Sequence, residues 1–143
     1  RTGDVDLTGP ADPASQPPRV ASPGEALHGR YHFTTSENVV KREFDSAVRT
    51  DCLRTGDRCL SYFHGPNTEL PLLFESGKWT GQGEGVIECR DGGTAQLKAS
   101  AEYPLPATAQ NPITLLIGHA HQVVTGCISN STDIEEKLER TGD

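Results

Sequence analysis

From His28 onward, short β-prone segments are separated by turn signals every eight to twelve residues. That rhythm belongs to an antiparallel sandwich or an open barrel, because each strand must reverse before the next can pair with it. Tyr31 and Phe33 alternate with His32 and Thr34, giving a first strand of about eight residues. Phe44 to Cys52 places Phe44, Ser46 and Val48 on one face, and Arg58 to His64 pairs back across a turn at Thr55-Gly56-Asp57. After the break at Gly65-Pro66-Asn67, Leu70–Phe74 and Lys78–Thr80 form a hairpin over Ser76-Gly77. Val86–Arg90 and Thr94–Tyr103 follow on either side of Asp91-Gly92-Gly93, the latter with Ala95, Leu97, Ala99 and Ala101 on one side. Ile113–Val124 reads as two strands hinged at Gly118. The C-terminal stretch Thr132–Arg140 reads locally as a capped helix, with acids in its first turn and Ile134 and Leu138 four apart. It also fits an alternating strand.

Four cysteines, Cys52, Cys59, Cys89 and Cys127, stand in a chain with only 34% hydrophobic residues. An even number in a lightly cored chain points to disulfides and an oxidising compartment. Of the three pairings, Cys52–Cys59 with Cys89–Cys127 is favoured, since the residues between the first two read as a hairpin connection with hydrophobic flanks. Closing these loops is worth about 2.5 and about 4 kcal/mol in a chain-entropy account. A structural zinc site prefers partners two to four residues apart, not the six and thirty-seven found between these pairs. No Cys-x-x-Cys redox pair is present.

The chain has 143 residues and a net charge of −7, opposite in sign to a binder of phosphate backbones or of anionic membranes. No nucleic-acid partner is expected. The longest apolar stretch, Ile113 to Ile117, is far too short to span a bilayer. Residues 1–23 hold five of the ten prolines and almost no bulky apolar side chains, which predicts a disordered, extended linker ahead of one domain over 24–143. Arg-Thr-Gly-Asp occurs at 1–4, 54–57 and 140–143. The two outer copies suggest that residues 1–4 end a preceding homologous unit.

Gly29-Arg-Tyr31, Thr50-Asp-Cys52, Cys59, Phe74-Glu-Ser-Gly-Lys-Trp79, Cys89 and Gly126-Cys127 follow one another in an informative order. In that order and spacing the chain resembles the extracytoplasmic sensor domain of mycobacterial receptor-type Ser/Thr protein kinases. Those domains often close on Arg-Ser/Thr-Gly, as Arg140-Thr-Gly142 does here. The resemblance covers about 24–143. It implies a disulfide-secured β domain displayed outside the membrane, with a transmembrane helix and a kinase domain elsewhere in the parent chain. It also implies that the C-terminal segment is a strand.

Few residues suggest chemistry. His119 and His121 would share one strand face and could chelate a metal if a third ligand joined them; otherwise that face is simply polar, with Ile117, Ala120 and Val123 nearer the core. Gly81-Gln-Gly-Glu-Gly85 resembles the start of a phosphate loop, but strand residues follow in place of Lys and a helix, so a mobile hairpin is the better account. Glu84 and Glu88 are one of many carboxylate pairs an acidic surface supplies. Asn130-Ser131-Thr132 matches a glycosylation acceptor pattern and reads as an exposed loop. Tyr31, Phe63, Phe74 and Trp79 are needed in the core. No nucleophile–base signature appears and no cofactor is expected. The expectation is a non-catalytic extracellular sensor that binds an unknown ligand or cell-wall component, or dimerises, and signals to a kinase. The alternative is a secreted β domain with a similar ligand and no kinase attached.

Overall fold

The computed structural model describes residues 17–37, 40–65 and 69–143. Its eight strands are β1 (Gly29–Glu37), β2 (Val40–Cys52), β3 (Arg58–His64), β4 (Glu69–Glu75), β5 (Lys78–Glu88), β6 (Thr94–Pro104), β7 (Leu115–Gly126) and β8 (Asn130–Gly142). Each pairs antiparallel with the next, and β8 returns to β1, closing a barrel. The all-β, antiparallel expectation holds, and of sandwich and barrel the chain forms the barrel. Closure removes the free edges that an open sheet would present.

Several expected boundaries change for physical reasons. The C-terminal segment is strand β8, as the resemblance implied and the local helix reading did not. Ile134 and Leu138, four apart, share a face in either period, and pairing with both β7 and β1 decides between them. Gly81–Gly85 is not a hairpin: it lies inside β5, which pairs with β6 over eleven rungs and absorbs the expected Val86–Arg90 strand. Gly118 is no hinge either, since β7 runs through it unbroken. The expected Ser76-Gly77 turn is present, both residues having positive φ (55° and 81°), as a two-residue hairpin turn demands.

At one end, the base, the barrel is packed solid. A 3-10 helix, Pro23–Ala26, is capped by Ser22, whose side chain accepts from Gly24 N, and drives Leu27 into the barrel axis with no exposed surface. Tyr31, Phe63, Phe74 and Trp79 are all buried there, as the sequence requires, with Leu72, Ile113, Leu116 and Leu138. Polar groups inside this core are satisfied in series. Trp79 Nε1 donates to Ser61 Oγ (3.0 Å), Ser61 shares a hydrogen bond with Thr50 Oγ1 (2.6 Å), and Thr50 donates to the Leu27 carbonyl (2.5 Å). Tyr31 Oη donates to the Ile113 carbonyl at 2.5 Å, and burial pushes its pKa up to about 12. Gly29, at φ 113°, lets β1 pass against Arg140, whose Nε donates to the His28 carbonyl at 3.0 Å.

Residues 17–23, expected within the linker, lie along the β2–β3 hairpin. Val20 N donates to the Arg54 carbonyl (2.8 Å) and the Arg54 guanidinium to the Pro17 carbonyl (2.7 Å). The expected linker over 1–16 and the end of a preceding unit at 1–4 fall outside the described residues.

Both expected disulfides form, Cys52–Cys59 and Cys89–Cys127. The first ties the stems of the basal β2–β3 hairpin, where Cys52 and Cys59 are in register. The second ties the β5–β6 turn to the end of β7 at the opposite end. Such bonds are typical of proteins that fold in oxidising compartments. Among the described residues no helix is long and apolar enough to cross a membrane. The outer faces of β6 and β8 carry Lys98, Glu102, Asp133, Glu135, Lys137 and Glu139, whereas a membrane barrel presents an apolar band outward.

Candidate functional site

The wall of the barrel is uneven. β3 and β4 have seven residues each, while β5 to β8 have eleven to thirteen and β2 has thirteen. β4 meets β5 over only three rungs, ending at Leu73↔Thr80. Above that level, the inner face of the tall wall looks onto the end of the barrel opposite the Leu27 plug.

The glycines show where packing stops. A Cβ at Gly118 would collide with the Tyr103 ring and lie 2.7 Å from the Glu102 carbonyl oxygen. One at Gly81 would lie 2.5 Å from Leu72 Cδ2. Tyr103 and Leu72 therefore cap the solid core. One turn of the pleat higher on the same inward face of β5, a Cβ at Gly83 would meet nothing within 4 Å. Ala99, Ala101 and Ala120 continue this small-residue wall onto β6 and β7, all of them half-buried. Phe44, inward on β2, stacks on Phe33 at 4.8 Å yet keeps 37% of its surface exposed. Packing on the inward face of β5 thus gives way to open space at Gly83, while Ile87, Leu97, Val124 and Ile134 continue the inward face above it, half-buried.

One carboxyl stands at the floor of this space. Glu136 lies on the inward face of β8 between Ile134 and Leu138 and is half-buried. Tyr103 Oη donates to its Oε2 at 2.7 Å. Burial raises the Glu136 pKa, and the Tyr103 hydrogen bond only partly offsets this. The Tyr103 hydroxyl is itself held protonated, by burial first and the neighbouring carboxylate second. Sequence reading missed this pair because Glu136 looks like one more acid in Glu135-Glu-Lys. The available signal was its alternation phase, which it shares with Ile134 and Leu138.

A raised carboxyl pKa makes stability depend on pH. Below about pH 4, folded and unfolded chains both hold this proton. As pH rises, the unfolded chain releases it first, so this residue's contribution falls through the raised folded value. Glu136→Gln, which keeps an acceptor for Tyr103, is expected to be more stable than wild type at pH 7 and to show a flatter decline from pH 4 to 7. Urea denaturation at the two pH values measures both.

The sequence-predicted metal candidates lie elsewhere. His119 and His121 are on the outer face of β7, as expected on one side. Ile117 and Val123 share that outer face, 46% and 37% exposed, and only Ala120 points inward, so the expected assignment of all three to the core side is corrected. His121 Nδ1 is 2.7 Å from Asp133 Oδ1, and Ser131 Oγ is 3.2 Å from its Nε2. The three stand in the order of nucleophile, base and orienting acid. The Asp133 side chain is 91% exposed, however, and solvent screening there removes the preorganised charge on which such a relay depends. Ser131, in the Asn130-Ser131-Thr132 pattern, begins β8 rather than lying in a loop. Glu84 and Glu88 share the outer face of β5, four residues apart and both exposed. The Cys89, Asp91 and Cys127 donors cluster, but both sulfurs are bridged. No family model matches the chain, and no curated protein or solved structure matches it either.

Proposed function

We propose that this chain is a non-catalytic, extracytoplasmic binding module of a membrane receptor Ser/Thr protein kinase, and that it takes its ligand into the open half of the barrel. The observation that carries the binding role is the abrupt change from solid packing at Tyr103 and Leu72 to open space at Gly83. A barrel stabilised only for its own sake would fill that space, since an unfilled interior forgoes dispersion contacts. The glycine and alanine wall suits a slender apolar body. The Glu136–Tyr103 pair suits a hydrogen-bonding end that reaches the floor, and Arg42, exposed opposite Thr35 in the β1–β2 register, adds charge at the rim. Two disulfides support display outside the cytosol. The attachment to a kinase rests on the Gly29-Arg-Tyr31, Phe74–Trp79 and cysteine order.

Filling the space tests the reading. Gly83→Leu places a side chain where nothing lies within 4 Å, so the fold should tolerate it. In the full-length receptor, this variant is expected to change autophosphorylation in native membranes, while Gln96→Leu, on the outer face of β6, is expected to leave it unchanged. Wild-type signalling by the Gly83→Leu receptor would remove the open half of the barrel from the account. A parent chain with no kinase domain would remove the receptor assignment alone.

A further inference from the structure

We propose that two copies of this chain meet through the outer face of β3 and β4, in an isologous dimer whose two-fold axis runs along the seam between those strands. This face lies on the outside of the wall, so the contact is independent of whatever enters the barrel.

The closed barrel has no free strand edge, so a second copy must be met through side chains. Leu60 and Leu73 are 40% and 38% exposed and stand directly opposite one another in the β3–β4 register. Exposed apolar side chains elsewhere on the wall have polar or charged register partners: Val86 faces Gln96, Ile117 faces Lys137 and Leu115 faces Glu139. The next outward pair toward the base is Arg58 and Glu75, with 3.8 Å between their charged groups. The next toward the rim is Tyr62 and Pro71. Arg49, paired with Asp51 at 3.4 Å, lies 5.3 Å from the centre of the Tyr62 ring. A groove of about 390 Å³ opens beside Leu60, lined also by Asp51, Leu53, Arg58, Tyr62 and Leu73.

Charge selects a second copy as the occupant. The chain carries −7, yet this face sets Arg49 and Arg58 against Asp51 and Glu75 and is neutral. A strongly acidic or basic partner would meet as much repulsion as attraction there. A copy turned about the seam would not. Half a turn about an axis parallel to the strands keeps every residue at its height and exchanges the β3 side for the β4 side. Leu60 then meets the partner's Leu73, Arg58 the partner's Glu75 and Tyr62 the partner's Pro71, each contact occurring twice. No like charges oppose one another in these three rungs. Arg and Tyr are also the side chains that most often carry the energy of such contacts.

Sedimentation velocity of the chain from about 5 to about 500 µM, at about 0.15 M ionic strength, is expected to show a monomer–dimer equilibrium. Arg58→Glu and Glu75→Arg should each weaken it about tenfold or more, since each sets like charges opposite one another across the interface. The double swap should restore it to within about threefold of wild type. Arg58→Glu makes the net charge two units more negative and Glu75→Arg two units less, so general repulsion between copies would move the two variants in opposite directions. Lys98→Glu, on the outer face of β6, changes the charge as Arg58→Glu does and should leave the dimer unchanged. Leu60→Asp should be monomeric throughout. The Arg58 and Glu75 side chains are both more than half exposed and their pair adds little to the fold, so melting temperatures in dilute solution should hold and show the barrel intact. The proposal is overturned if the wild type stays monomeric, if the two single reversals act in opposite directions, or if the double swap fails to restore the dimer. Growth beyond the dimer would also overturn it, because that marks a head-to-tail contact.

Discussion

Trp79→Ala is expected to lower the melting temperature of the domain by on the order of 15 °C, or to leave it unfolded at 37 °C. Trp79 has no exposed surface and packs against Phe74 with ring centroids 4.6 Å apart. Truncating a buried aromatic of this size costs about 3–5 kcal/mol, against a total stability of about 5–15 kcal/mol for a typical domain. A second loss adds to the first. The indole N–H is the donor to Ser61, and Ser61 in turn links through Thr50 to the Leu27 carbonyl that seats the plug. Removing the donor leaves a fully buried hydroxyl one partner short, worth about 1 kcal/mol more. Trp79→Phe restores most of the volume but not the N–H, so it should fall between wild type and Trp79→Ala. Chemical denaturation of the three proteins separates the packing from the hydrogen bond. Equal stability of the phenylalanine and alanine variants would mean that ring volume is not what holds the base together.

The second large effect is expected at the other end of the barrel. Replacing Cys89 and Cys127 together by alanine opens a cross-link of sequence separation 38 and should cost about 4 kcal/mol. The corresponding pair of changes at Cys52 and Cys59, separation 7, should cost about 2.5 kcal/mol. The difference is one of loop length, and it carries a spatial signature. Cys52 and Cys59 already face one another in the β2–β3 register, so hydrogen bonds hold that hairpin without help. Cys89 and Cys127 belong to different turns, and Cys89 N donates to the Gly93 carbonyl at 2.8 Å across the β5–β6 turn. Amide exchange should therefore quicken around 86–96 and 123–132 in the Cys89/Cys127 variant and stay unchanged at the base. Loss of protection throughout the barrel would instead make this disulfide a global staple.

Much of the barrel was legible because period-two alternation survives in short segments. Arg58–His64 matches the sequence expectation at both ends, and Ala95, Leu97, Ala99 and Ala101 share the inward face they were expected to share. Legibility fails where one residue pattern serves two periods, as with Ile134 and Leu138, and where glycine reads as punctuation. Gly81, Gly83 and Gly85 alternate with Gln82 and Glu84 and so follow a strand's rhythm, but with hydrogen atoms in place of the inward side chains. The reason for those glycines appears only when the neighbours are in place. Gly81 is small because Leu72 lies against it, Gly118 because Tyr103 does, and Gly83 faces nothing. Such facts concern pairs of residues distant in the chain, and no local window contains them. The Glu136–Tyr103 pair was hidden for the same reason, being joined only across β6, β7 and β8.

Arg30 Nε donates to the Asp143 carbonyl at 3.1 Å, and Arg140 reaches back to the carbonyl of His28. The domain is therefore entered and left at one pole, beside the Leu27 plug, while the unfilled space lies at the other. The first and last strands therefore share one pole, joined there by side-chain bonds to each other's backbone. A tether attached at these two strand ends would grip the barrel by its foot and leave the opposite end pointing away from it.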